Sequence, residues 1–334
     1  MRTGLIVLLL SLGCAAQNLK VYAIDVEGGK ATLYVSPSGE SMLLDTGYDG
    51  NNGRDADRIL AAAHDAGVKQ IDYLVITHYH GDHMGGVAQL AARIPIRNFV
   101  DHGKTFESVK DVAALYNTYV SLREKGSHIE VKPADRIPIK GLQVDVVTAS
   151  GVPIAKPLPG GGGANPLCKD LQPIKADEGE NAHSIGIIVT LGLFRLSDLG
   201  DLYWNQEGDL ACPNNLIGTV DVYMTTHHGK RTSGAPALVQ AMRPRAAIMN
   251  NGPITGGSET HWDTIHQSPG HPDIWQLHFA ANNGKPYNAP MSFIANVKQG
   301  ECTGNWIRLT AQPGGTFTIV NSRTAKEKQY PARP

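Results

Sequence analysis

The feature that most restricts what this chain can fold into is a junction. The apolar run Ile71-Asp72-Tyr73-Leu74-Val75-Ile76-Thr77 passes directly into His78-Tyr79-His80-Gly81-Asp82-His83. The run has the composition of a buried strand, and ligand sites of α/β sheets collect at the C-terminal ends of such strands. Within a regular strand or helix the imidazoles and the carboxylate would point in several directions. A tight loop lets them converge, and Gly81 permits the turn. Imidazole and carboxylate together suit zinc, with iron or manganese as alternatives. His78 with His80, and Asp82 with His83, form two half-sites. Two divalent ions there would provide a metal-activated water.

The flanking sequence repeats a strand-and-helix alternation. Strands are expected at Leu19–Val26, Ala31–Val35 and Ser41–Asp45, and a helix over Asp55–Ala66 stopped by Gly67. Helical pattern returns at Met84–Ala92 and near Val109–Lys125, with a short strand at Asn98–Val100 between them. Strands follow at Ile129–Lys132, Leu142–Thr148, Ser184–Val189, Leu193–Leu196 and Val220–Met224. A helix at Ala237–Met242, a strand at Ala246–Met249 and a final hairpin, Trp306–Leu309 with Phe317–Val320, complete the reading. Two stretches, 151–182 and 252–290, are rich in Gly and Pro and read as irregular loops. In the second, His261, Trp262, His266, His271, Trp275, His278 and Phe279 either floor a pocket or pack a small core, and packing is preferred. This order of β-rich and α segments fits two layered halves of one domain, residues 17–334, in an αββα sandwich.

Residues 1–16 read as a signal peptide: Arg2, an aliphatic run from Leu5 to Leu10, then Gly13-Cys14-Ala15-Ala16. The expected product is secreted or periplasmic. Leu10-Ser11-Leu12-Gly13-Cys14 also resembles a lipobox, so a lipoprotein is the alternative, with membrane attachment only if Cys14 is lipidated. Cys168, Cys212 and Cys302 remain in the mature chain, which allows at most one internal disulfide and leaves one thiol over. None forms a Cys-x-x-Cys pair, so zinc ligation by cysteine is not expected. The 30 Lys and Arg nearly cancel the 31 Asp and Glu, for a net charge of −1. That balance excludes a broad basic field, so no long nucleic acid is expected as substrate. Lys156, Lys169 and Lys175 in the first Gly/Pro loop read as solvated side chains.

His78-x-His80-x-Asp82-His83 resembles the signature of the metallo-β-lactamase superfamily. Further segments fit the resemblance. Asp45-Thr46-Gly47 is similar to an early strand-end Asp of that family. Asp25-Val26-Glu27-Gly28-Gly29, Glu180-Asn181-x-x-Ser184, Gly200-Asp201 and Thr226-His227-His228-Gly229 are similar to elements of the branch containing the hydrolase domain of the DNA-uptake competence protein. Asn250-Asn251-Gly252 resembles a late loop of that branch.

The resemblance implies a four-layer αββα metallo-β-lactamase sandwich and a dinuclear hydrolase. His78 and His80 would hold one ion and Asp82 and His83 the other, with Asp201 bridging and Asp198 as the rival bridge. His227 is preferred over His228 to complete the second ion. His228 would then face substrate, steadying charge or protonating the leaving group. The first ion lacks the usual Gly-His-Thr-like element. Either His183 supplies its third ligand, or Asn181 orients water or substrate there. Asp82 or Asp201 would take the proton of the attacking water. Asp45, Asp101 and His102 are candidates for fixing imidazole tautomers. The implied substrate is a small-molecule or short phosphodiester or phosphoester. A lactone or β-lactam, and an exported binding protein with a vestigial site, are the alternatives.

Overall fold

The computed structural model describes residues 18–107, 110–172, 174–298 and 302–333. The expected signal peptide, with Cys14, lies outside them. Nine strands form one sheet, in the order Glu327–Tyr330, Phe317–Asn321, Ile307–Ala311, Leu19–Ala23, Thr32–Val35, Ser41–Leu44, Ile71–Val75, Ile96–Asp101 and Ser127–Glu130. Eight form the other, in the order Ile294–Asn296, Asp273–His278, Ala246–Met249, Val222–Met224, Phe194–Asp198, Gly186–Leu191, Gln143–Ala149 and Val152–Pro153. The final hairpin pairs as expected, and it joins the first sheet by laying Ile307–Ala311 antiparallel to Leu19–Ala23.

Three apolar clusters separate four layers. Val21, Ala23, Met42, Leu44 and Val75 of the first sheet meet Val144, Val146, Ile187, Val189 and Leu196 of the second in the central one. Tyr22, Ile24, Leu43 and Leu74 point the other way, onto helix Arg54–Ala66 and Tyr119 of helix Lys110–Arg123. Ile188, Tyr223, Ala247 and Ile274 pack against helices Trp204–Ala211, Pro236–Met242 and Glu259–His266. Side chains of a strand alternate between faces, and here both faces are covered, so the strands read as continuous apolar runs. The αββα arrangement is therefore the one that the strand and helix order predicted.

Several elements differ from the sequence reading. Met84–Ala92 is broken into Gly81–Met84 and Val87–Ala91. The break falls at Gly85 and Gly86, whose backbones pack directly on residues 46–49. The stretch 252–290 is not irregular throughout: it holds helix Glu259–His266 and strand Asp273–His278. The helix is capped by Ser258, whose side chain accepts from the His261 N–H. His261, Trp262 and Trp275 pack as expected, whereas His266 and His271 are exposed. Trp275 is fully buried in the central core, and His261 Nε2 lies 3.1 Å from the buried Tyr223 hydroxyl. In 151–182, strand Gly163–Ala164 pairs with Asn214–Asn215, and a Cys168–Cys212 disulfide ties the two segments together. Cys302 is the remaining free thiol among the described residues. No helix among the described residues is long and apolar enough to cross a membrane.

Candidate metal centre

Strand Ile71–Val75 lies between two parallel neighbours, and the chain beyond it enters the His turn. Asp45, at the end of the adjacent strand, fixes that turn. Its carboxylate accepts from the Thr77 N–H and the Thr77 hydroxyl, both at 2.8 Å, and pairs with His83 Nδ1 at 2.8 Å. An Nδ1 proton given to Asp45 leaves the His83 Nε2 lone pair facing inward. His80 precedes the short helix Gly81–Met84, whose first turn presents Asp82.

The second sheet supplies the opposite wall from two strand ends. After strand Phe194–Asp198 the chain turns at Gly200, with φ of +59° and a backbone pressed on Ser184, where a Cβ would sit 2.8 Å from that side chain. The Ser184 hydroxyl accepts from the Asp201 N–H at 3.1 Å, aiming Asp201 inward. After strand Val222–Met224, His227 and His228 both adopt left-handed φ, 51° and 56°, and their ring planes stand 65° apart. The His227 N–H donates to the Gly200 carbonyl at 3.0 Å, joining the two turns.

Asp82, His83, Asp201 and His228 thereby converge, with one ligand atom from each lying within 4.8 Å of the others. Asp201 Oδ2 is 3.2 Å from His83 Nε2 and 3.2 Å from His228 Nε2, and Asp82 Oδ2 is 3.4 Å from His228 Nε2. His78 and His80 adjoin them. His78 Nδ1 faces the Thr77 hydroxyl oxygen at 3.2 Å, and His80 Nε2 faces Glu107 at 3.0 Å. A ring that gives its proton to that outward oxygen turns a lone pair inward. The remaining nitrogens, His78 Nε2 and His80 Nδ1, face each other at 3.0 Å. Two lone pairs at that separation repel unless a cation joins them.

The electrostatics agree. Burial opposes a charge on His83, yet the Asp201, Asp45 and Asp82 carboxylates outweigh it and raise its pKa well above the ordinary value. Burial also opposes the Asp201 charge, but the His228, His83 and His227 rings hold it well below the usual carboxylate range. Asp201 Oδ1 is buried without a partner. Imidazole and carboxylate donors gathered in this way fit a divalent metal ion.

The placement refines the sequence reading residue by residue. His228, not the preferred His227, joins Asp82, His83 and Asp201. His227 sits outside them: its Nε2 is 3.5 Å from Asp201 Oδ2 and 3.0 Å from Lys230 Nζ, and its ring stacks on Tyr203. The difference comes from the consecutive left-handed residues, a conformation that spacing does not reveal. Asp198 is not at the centre; it is paired with the fully buried Lys30 and accepts from the Tyr34 hydroxyl at 3.0 Å. His183 points away, with Nδ1 on the Gly179 carbonyl at 2.8 Å and its ring stacked on Phe106 at 3.6 Å. Asn181 is buried, and its Oδ1 has no partner. Asp101 is taken up by Tyr119, Arg123 and His128, and His102 by Glu180.

Sequence reasoning gave no role to Glu180, Glu107 or Lys30. Glu180 accepts from the Tyr79 and Phe106 N–H groups and the Thr105 hydroxyl, pinning the loop outside His80. For Lys30 the available signal was a lysine beside the apolar strand Thr32–Val35.

The family model described as Metallo-beta-lactamase superfamily matches residues 24–167. That stretch is similar to the metallo-β-lactamase superfamily. Curated relatives extend the similarity past the matched stretch. Recombination protein 2 of Haemophilus influenzae is 24% identical over 234 residues, covering 70% of this chain and 24% of that protein. ComE operon protein 3 of Bacillus subtilis is 25% identical over 269 residues, covering 76% of this chain and 30% of that protein. A UPF0173 metal-dependent hydrolase of Pyrococcus furiosus is 24% identical over 227 residues, covering 66% and 80%. The chain thus spans 24% and 30% of the lengths of the first two relatives. The family match and these relatives make the chain similar to metal-dependent hydrolases.

Proposed function

We propose that this protein is an exported hydrolase that uses two divalent ions, most simply zinc, to cleave a small phosphodiester or phosphoester. The observation that carries the dinuclear reading is the 3.0 Å approach of His78 Nε2 to His80 Nδ1 beside a buried Asp201 oxygen with no partner. One ion would sit between Asp82, His83, His228 and Asp201. The other would be held by His78, His80 and Asp201. When bound, such ions lower the pKa of a water and polarise the oxygen of the bond to be broken.

The chain's own groups then divide the work. Asp82, whose side chain keeps 19% of its exposure, can accept a proton from the attacking water. Lys230, whose Nζ lies 3.0 Å from His227 Nε2, forms a cationic edge one step outside the cluster, suited to a substrate anion and to charge developing on the leaving group; burial pushes the pKa of His227 itself down to about 3 and keeps that ring neutral. That edge, with the similarity to the competence-type proteins, supports a phosphoester over a neutral lactone. The charge-steadying role first assigned to His228 passes to Lys230, positioned by His227. Asn181, with its free Oδ1, is a candidate for orienting substrate. The nearly complete donor set argues against a vestigial site.

Export is supported by the Cys168–Cys212 disulfide, which persists in oxidising compartments. A secreted or periplasmic location follows, with lipidation of Cys14 as the alternative.

Metal analysis should be followed by assays with bis-p-nitrophenyl phosphate, a lactone and a chromogenic β-lactam. The expected result is bound metal and phosphodiester turnover that His80→Ala abolishes. Turnover of the lactone or β-lactam alone would overturn the phosphoester assignment, and failure to bind any divalent metal would overturn the hydrolase.

A further inference from the structure

A second group of ligand-type side chains lies outside the catalytic cluster. Asp25 and Glu27 leave strand Leu19–Ala23, His278 ends strand Asp273–His278, and Cys302 lies on the segment leading to strand Ile307–Ala311. One ligand atom from each of the four lies within 4.8 Å of the others. Cys302 Sγ is 3.1 Å from Asp25 Oδ2, 3.5 Å from Glu27 Oε1 and 3.6 Å from His278 Nε2. His278 Nε2 is 3.1 Å from Asp25 Oδ2. For zinc bonds of roughly 2.0–2.3 Å, the edges of a tetrahedron are roughly 3.3–3.8 Å, close to these separations.

We infer that Asp25, Glu27, His278 and Cys302 form a second, structural site for a thiophilic divalent cation such as zinc. Donor chemistry and charge support it. A thiolate with one imidazole and two carboxylates suits zinc and does not suit calcium or magnesium. Arg58 already contacts the group, with Nη1 3.0 Å from Asp25 Oδ2 and Nη2 3.0 Å from Glu27 Oε1 and 3.1 Å from Cys302 Sγ. Two carboxylates and a thiolate carry three negative charges, which a divalent ion and Arg58 together neutralise. Without the ion, burial and the Asp25 carboxylate push the Cys302 thiol up to about 12, so it stays protonated and is a poor nucleophile.

The site would brace the catalytic turn from behind. Glu27 is held at a φ of +57°. Two residues on, Gly29 packs so tightly that a Cβ would lie 2.5 Å from the Asp82 carbonyl oxygen. The Lys30 N–H donates to that same oxygen at 3.0 Å. A cation at residues 25, 27, 278 and 302 would tie the late segment around Cys302 to the loop that supports Asp82.

Cobalt titration of the full chain, with its disulfide intact and no added thiol, tests this directly. The wild type should develop a thiolate-to-cobalt charge-transfer band in the near ultraviolet. Cys302→Ser should lose the band and bind one equivalent less, while Cys14→Ser and His80→Ala should keep the band. Retention by His80→Ala separates this site from the catalytic one. A wild type saturated with cobalt but lacking the band, or equal cobalt in wild type and Cys302→Ser, would overturn the inference.

Discussion

The two halves of the sandwich contribute unequally to the metal centre. The first sheet delivers His78, His80, Asp82 and His83 in one turn. The second delivers Asp201 and His228 as single side chains from separate strand ends, each aimed by local backbone: the Gly200 turn on Ser184, and the left-handed His227-His228 pair. A contiguous turn carries its geometry with it. Dispersed residues depend on the whole sheet being in register, so the second half is where mutation should be least forgiving.

The sharpest way to break this comparison is to exchange the roles of the paired histidines. His228→Ala should reduce kcat/KM by roughly 10³–10⁴-fold and lower metal content, because it removes a donor from the shared centre. His227→Ala should retain metal and act mainly on KM. Steady-state kinetics with metal analysis decides between them, and the opposite pattern would make His227 the ligand.

A core substitution probes how far the centre depends on sheet register. Lys30 and Asp198 are both fully buried and join the two sheets behind the site. Lys30→Met strands a buried carboxylate and should cost about 3–5 kcal/mol in denaturant unfolding. Lys30→Met with Asp198→Leu should recover much of that loss. An unaffected single variant would show that the pair does not link the sheets.

The smallest expected effect concerns the loop beside the contiguous turn. Burial favours a raised pKa for Glu180, but hydrogen bonds from His102, Thr105 and Phe106 hold it down to about 2, against an ordinary 4.5. A depressed carboxylate contributes stability above its unfolded pKa and loses it as pH falls toward the folded one. The contribution, roughly 2–3 kcal/mol, should therefore be whole above about pH 4.5 and fade toward pH 2. Glu180→Gln should lower stability at neutral pH and flatten that acid limb. A limb of unchanged slope would remove Glu180 from the account.

The same asymmetry explains what the sequence disclosed. The His turn was legible because its donors are neighbours in the chain and follow an apolar run. Asp201 was preferred over Asp198 on its Gly-Asp context, and the structure places it at the centre. The choice between His227 and His228 was not legible, since adjacent residues differ there only through two left-handed φ angles. The group of Asp25, Glu27, His278 and Cys302 was less legible still. Its members come from three distant segments, and a search for Cys-x-x-Cys pairs passes over a cysteine whose partners are histidine and carboxylates. Helix Glu259–His266 and strand Asp273–His278 were obscured by the surrounding Gly and Pro, and the Ser258 cap emerges only in the structure.

The central claim is that one carboxylate from the second sheet joins two ions held by the first. Anomalous scattering from crystals grown with zinc tests it most directly. The account predicts two peaks about 3.5–4 Å apart, one among Asp82, His83 and His228 and one beside His78 and His80, both in contact with Asp201. A single peak that Asp201 does not touch would contradict it.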